Sequence, residues 1–181
     1  KYYYLLFIYR GGNESMKVAL AQLEIVWENK KENKKRCVDF MEEAKKQCVD
    51  IILFPEMTLT GFSMNTKKLS ETIENSETIA FFKQKAQQYH IAICFGMIVK
   101  NEEKSENHCI VISKQGEMIA DYAKIHPFSY GAEAKFYSAG EHITHYTIDD
   151  IVFSPLIFPK RKSIPLSLPS LKLSIKIPNS S

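Results

Sequence analysis

The sequence predicts an α+β fold in which a mixed β-sheet carries its helices on one face. Three observations support this. Two amphipathic helical stretches, near residues 30–47 and 77–90, each lie between short strand-like apolar runs, an alternation that calls for crossover connections. Beyond residue 90 the helical period stops, and polar turns near 101–107 and 114–117 link strand-like segments as hairpins. The early strands are apolar on both sides, as in a sheet covered on both faces.

Taken in order, residues 17–24 (KVALAQLE) set Val18, Leu20 and Gln22 against Ala19, Ala21 and Leu23, a pattern that suits a covered strand. In the helix after it, Cys37, Phe40, Met41, Ala44 and Cys48 form one apolar stripe, while Lys and Glu fill the solvated side. Residues 50–55 are a short apolar run with a β-branched start, stopped by Pro55, and read as a buried strand. A second helix shares Ile79, Phe82, Ala86 and Tyr89 on one face. Strands are then expected at 91–99, 109–113, 118–123 and 150–157. A sheet with helices on one side leaves an apolar face to hide. A second two-layer unit packed there would give an αββα sandwich. The chain is not expected to supply that half, so it should expose a large apolar face and be poorly stable.

The two ends differ from this middle. Residues 1–15 (KYYYLLFIYRGGNES) are expected to lie outside the domain as a leader ahead of Met16; their apolar run is too short to span a bilayer. Residues 16–157 form the expected domain. Residues 158–181 are rich in Ser, Pro, Leu, Ile and Lys and contain no acid. They read as an atypical tail, a candidate product of a shifted frame, in which Leu171, Leu173, Ile175 and Ile177 alternate as one edge strand would. The net charge of +3 comes from these ends: residues 16–150 hold 17 Lys and Arg against 20 Asp and Glu. Charge therefore gives no argument for a nucleic-acid partner. Cys37, Cys48, Cys94 and Cys109 form no CxxC pair and have no histidine at metal-ligand spacing, so they are expected to be reduced structural thiols, with no metal site. A cytoplasmic protein with no membrane partner is expected.

Two segments carry the chemistry: Leu53 to Phe62 (LFPEMTLTGF), and Tyr122 to Phe128 (YAKIHPF), continuing to Glu133. Glu56 follows the C-terminal end of a buried strand, where ligands bind in open sheets. It can serve there as a general base, or it is an ordinary exposed loop glutamate. Lys124 also follows a strand and can stabilise an oxyanion, or it is a surface lysine. Glu133 can pair with Lys124 or bind a substrate amide. His126 lacks a nearby nucleophile and is expected to hold the Lys124 loop by a structural hydrogen bond.

Together the segments resemble the nitrilase superfamily of carbon–nitrogen hydrolases. Met16 to Leu23 is similar to that family's first strand. Phe54-Pro55-Glu56 followed by Thr60-Gly61-Phe62 is similar to its catalytic-glutamate motif, and Tyr122 to Phe128 to its catalytic-lysine motif. The resemblance implies the N-terminal part of a four-layer αββα sandwich and a Glu–Lys–Cys triad. Glu56 would activate a thiol, Lys124 would stabilise the oxyanion, and Glu133 would position the substrate or the lysine; Tyr130 is the expected substrate contact. A small amide or nitrile would be hydrolysed through a thioester without a cofactor. The segment around His126 leans toward the omega-amidase-like branch, and the intact form is expected to be a homodimer. The position expected to hold the nucleophile is Phe158, so this chain is expected to be truncated before its cysteine and inactive. The alternative is a non-catalytic pseudoenzyme or binding protein of the same fold.

Overall fold

The computed structural model describes residues 2–9, 15–127, 133–157 and 171–176. Its main sheet is mixed, with strand order β1(Tyr2–Tyr9), β2(Ser15–Gln22), β3(Ile51–Leu53), β4(Ala92–Lys100), β5(Ser105–Ile112), β6(Met118–Ala123). Strand β2 pairs parallel to β3, and β3 parallel to β4; β4, β5 and β6 then continue as antiparallel hairpins. The crossovers carry α1(Lys30–Lys46), α2(Thr66–Leu69) and α3(Glu77–Tyr89). α4(Glu133–Phe136) leads into β7(Tyr137–Ser138), which pairs parallel to β5.

Helix α1 starts where Asn29 accepts a hydrogen bond from the Glu32 N–H, and α3 where Ser76 accepts from Ile79 N–H. α3 ends on His90, which takes the left-handed conformation at φ 56°. Both helices bury the stripes expected of them: Cys37, Phe40, Met41 and Ala44 from α1, and Ile79, Phe82, Ala86 and Tyr89 from α3. These pack on Ala19, Ala21, Ile52, Ile93, Phe95, Ile110 and Ile112 of the sheet, with Phe82 stacked on Phe95 at 4.0 Å between ring centroids. Cys48 departs from the expected stripe. The helix stops two residues earlier, Cys48 turns to φ 53°, and its side chain is exposed.

The opposite face corrects a larger expectation. A second sheet, in order β10(Leu171–Lys176), β9(Ile151–Ile157), β8(Tyr146–Ile148), is present. Tyr146, Ile151, Phe153 and Ile157 bury Met16, Val18, Ile51, Leu53, Cys94, Cys109 and Val111, so that face is covered rather than open. Strand β10 lies in the segment read as an atypical tail and pairs antiparallel with β9 along its whole length. Likewise β1, within the segment read as a leader, pairs antiparallel with all eight residues of β2. Phe158 and Tyr130 lie outside the described residues. Among the described residues no helix is long and apolar enough to cross a membrane, and no cluster of His, Cys, Asp and Glu suits a metal ion.

Candidate active site

Strand β3 is only three residues long, and immediately past it the chain forms a tight hook laid over β4. The Phe54 N–H donates to the Cys94 carbonyl at 2.8 Å, and the Thr58 N–H donates to the Gly96 carbonyl at 2.9 Å. The Thr58 hydroxyl donates to the Pro55 carbonyl at 2.6 Å and accepts from the Gly96 N–H at 3.2 Å. Met57, at φ 49°, and Gly61, at φ 68°, supply the left-handed residues that the reversal requires. Gly96 is needed for another reason: a Cβ there would sit 2.5 Å from Met57 N and 2.8 Å from Glu56 Cα. The hook delivers Glu56 to the end of the sheet with its side chain 8% exposed.

Lys124 leaves β6 with its N–H donating to the Asn107 carbonyl at 2.9 Å, while its own carbonyl accepts from Gly140 N–H at 2.9 Å. Gly140 must also be small, since a Cβ would meet the Ala123 carbonyl oxygen. The Lys124 side chain is 3% exposed, and its ammonium donates to Glu133 Oε1 at 3.0 Å and to Glu56 Oε1 at 3.3 Å. Glu133 opens α4 and is 4% exposed. Three residues separated by up to 77 positions thus meet in one buried cluster. Pairing offsets the cost of removing such charges from water. Chemically, the cluster offers a carboxylate that can accept a proton beside a fixed cation that can face an oxyanion.

Two further residues complete the cluster. The Asn107 side-chain N–H donates to Glu56 Oε1. The Tyr137 hydroxyl donates to the Ser63 carbonyl, and its phenol is pushed up by burial and then by the charges of Glu133 and Glu56. Phe62 stacks on the Tyr137 ring at 6.1 Å. Sequence reasoning misses both Asn107 and Tyr137. A buried Asn among the apolar residues of β5 is the signal that could reveal the first. His126 is a correction: it is exposed rather than a structural anchor, and the loop is held instead by Gly140 and by a 3.4 Å bond from Ile125 N–H to the Tyr122 hydroxyl.

The four cysteines are packing groups or lie apart from this chemistry. Cys94 and Cys109 sit in the core between the sheets with their Sγ atoms 3.3 Å apart, and the contact and burial push the Cys109 thiol up. Burial raises the Cys37 thiol as well, in the helix-side core. Protonated thiols are weak nucleophiles.

A sequence model of the carbon–nitrogen hydrolases matches residues 17–158. The chain belongs to that family. Its relatives within the nitrilase superfamily include a hydrolase encoded in the agr operon of Staphylococcus aureus, 28% identical over 132 residues, covering 71% of this chain and 49% of that protein. They also include the 2-oxoglutaramate amidase of Bacillus subtilis, 25% identical over 142 residues, covering 77% of this chain and 54% of that one. A solved carbon–nitrogen hydrolase from Xanthomonas campestris superposes with a TM-score of 0.70 at 22% identity, over 77% of this chain and 51% of its own, which establishes the shared fold. The chain spans about half the length of the curated relatives just described.

Proposed function

We propose that this chain carries the base and the oxyanion-stabilising cation of an amidase that works through a cysteine thioester. The observation that supports this is the meeting of Glu56 and Glu133 on the buried ammonium of Lys124, between 3.0 and 3.3 Å. In this reading Glu56 takes the proton of a thiol, and the thiolate attacks the amide carbon. Lys124 faces the oxyanion. When the C–N bond breaks, the proton held by Glu56 passes to the leaving nitrogen, and ammonia or an amine departs. Glu56 then removes a proton from water, which cleaves the thioester to the acid and returns the thiol. Glu133 pairs with Lys124 and keeps it aimed, and Tyr130 contacts the substrate. No cofactor enters the scheme. Likeness to the 2-oxoglutaramate amidase supports monoamides of dicarboxylic acids as substrates, within a wider class of small amides and nitriles.

Phe158 stands where the thiol is expected, and a phenyl ring cannot ionise or form a thioester. The 181-residue chain is therefore proposed to lack turnover by this route. The same phenylalanine favours a second reading, a binding protein that keeps the pocket without the reaction.

Ammonia release from small amides, together with acrylamide labelling of a Phe158→Cys variant followed by intact mass, tests both readings. The parent chain should release no ammonia. The introduced thiol should be labelled, and Glu56→Gln should slow that labelling by about 100-fold or more, the usual contribution of a general base. Labelling indifferent to Glu56→Gln would overturn the assignment. Turnover by the parent chain that disappears in Glu56→Ala would overturn the proposed inactivity. Saturable amide binding by the parent without turnover would support the second reading.

A further inference from the structure

Asn107 lies near the start of β5, is 1% exposed, and touches both halves of the site. Its backbone carbonyl accepts from the Lys124 N–H at 2.9 Å, and its side-chain Nδ2 donates to Glu56 Oε1. The Lys124 ammonium reaches that same Oε1 at 3.3 Å. The side-chain Oδ1 of Asn107 is buried without a hydrogen-bond partner among the described residues. Turning the amide over would set Oδ1 against a carboxylate oxygen, so electrostatics fixes Nδ2 toward Glu56. An unsatisfied buried acceptor is unfavourable, and a residue kept for packing alone would not carry one. Its neighbours two and four residues along the strand, Cys109 and Val111, are apolar and fully buried.

We propose that Asn107 is a positioning residue that couples Glu56 to Lys124. It holds the carboxylate by Oε1, the same oxygen that the Lys124 ammonium bonds. Asn107 touches no reacting atom. The inference rests on the amidase reading of Glu56 and Lys124.

The test uses the full chain with 15N-lysine and 13C-carboxyl glutamate labels. The Lys124 Nζ signal is assigned by Lys124→Met and the Glu56 carboxyl signal by Glu56→Gln. Asn107→Leu keeps the volume and removes the donor; it should move both signals, whereas Asn101→Ala, which removes an exposed amide bonded to Glu106, should move neither. In the Phe158→Cys background Asn107→Leu should slow acrylamide labelling on the order of 10- to 100-fold, the loss expected when a catalytic group is displaced by up to about 1 Å. Once Glu56→Gln is in place, adding Asn107→Leu should cause no further loss. Asn107→Asp keeps the shape, so it carries the test if leucine unfolds the chain. At neutral pH it sets a carboxylate against Glu56, near Lys124, Glu133 and Tyr137; at low pH, once protonated, it regains a donor. Both signals should therefore return toward their parent positions as pH falls, a recovery that a packing role would not produce. Unmoved signals with Asn107→Leu, or labelling losses that multiply with those of Glu56→Gln, would overturn the proposal. If Glu56→Gln alone leaves labelling unchanged, the amidase reading fails, and the two signals still decide whether Asn107 holds Glu56.

Discussion

Substituting Gly96 by Ala tests how Glu56 is delivered to the end of the sheet. The new Cβ would lie 2.5 Å from Met57 N, 2.8 Å from Glu56 Cα and 3.0 Å from Glu56 C, all backbone atoms, where ordinary contact begins at 3.4 Å. No side-chain rotation relieves this, so the hook must lift from β4 by about 0.9 Å at its tightest point. Lifting it strains both bonds that tie Thr58 to Gly96, at 2.9 and 3.2 Å. Overpacking of this kind costs about 1–3 kcal/mol, and each lost hydrogen bond about 1 kcal/mol. A total near 3 kcal/mol in a domain of this size lowers Tm by about 6–12 °C. The assay is a thermal melt followed by circular dichroism, with Gly116→Ala as the reference. At Gly116, φ +83° brings strain, but the added Cβ meets only the flexible end of Gln87, so a loss of about 1 kcal/mol and a shift of about 2–4 °C are expected. If Gly96→Ala melts no lower than Gly116→Ala, the hook is not pinned by that glycine, and the account of how Glu56 reaches the site fails.

Three further outcomes are expected. Burial would raise the Glu71 carboxyl, but bonds from Lys30, Ser76 and Thr78 outweigh it and hold the group down at about 2. The stability from this cluster is present above the unfolded value of 4.5 and is lost as pH falls toward 2, so Glu71→Gln should flatten the acid side of a pH–stability curve measured by denaturant melts. Burial would lower the His108 imidazole, but Asp121 and Glu106 on its two nitrogens raise it overall. Its contribution is present below the unfolded value of 6.5 and is lost as pH rises through the higher folded value; a proton NMR titration midpoint at or below 6.5 would refute this. A disulfide-exchange reagent should modify Cys48 quickly in the native chain, with Cys37, Cys94 and Cys109 reacting only on unfolding.

The parts legible in the sequence are those whose pattern repeats. Helices α1 and α3 lie within a residue or two of the expected ranges because a 3.6-residue period runs over several turns. Glu56, Lys124 and Glu133 are legible through their motifs, each placed at an element's end. The less legible parts depend on partners distant in sequence. Strand β8 has three residues, too few to show an alternation, and is secured by pairing with β9 and by Tyr146 stacked on Phe153 at 5.4 Å. Strand β1 depends on register against β2, which its own composition does not specify. Asn107 reads as one polar residue in a strand until Glu56 is brought to it from 51 positions away.

The pairing pattern explains why Glu56 and Lys124 can meet at all. Strand β3 runs parallel to β4, and two antiparallel steps through β5 turn β6 back to the same direction. The C-terminal ends of β3 and β6 therefore open on one edge of the sheet, along with the start of β5. They are still three strand spacings apart, about 14 Å, more than a direct contact allows. The gap is closed at each strand in between. At β4, Gly96 has no side chain, so the hook carrying Glu56 crosses above it. At β5, Asn107 reaches Glu56 with its side chain and Lys124 with its backbone. The Lys124 side chain spans what is left, and Glu133 on α4 holds it from the far side. A glutamate and a lysine at strand ends are thus insufficient by themselves: the arrangement also needs a strand without a side chain at one level and an amide at the next.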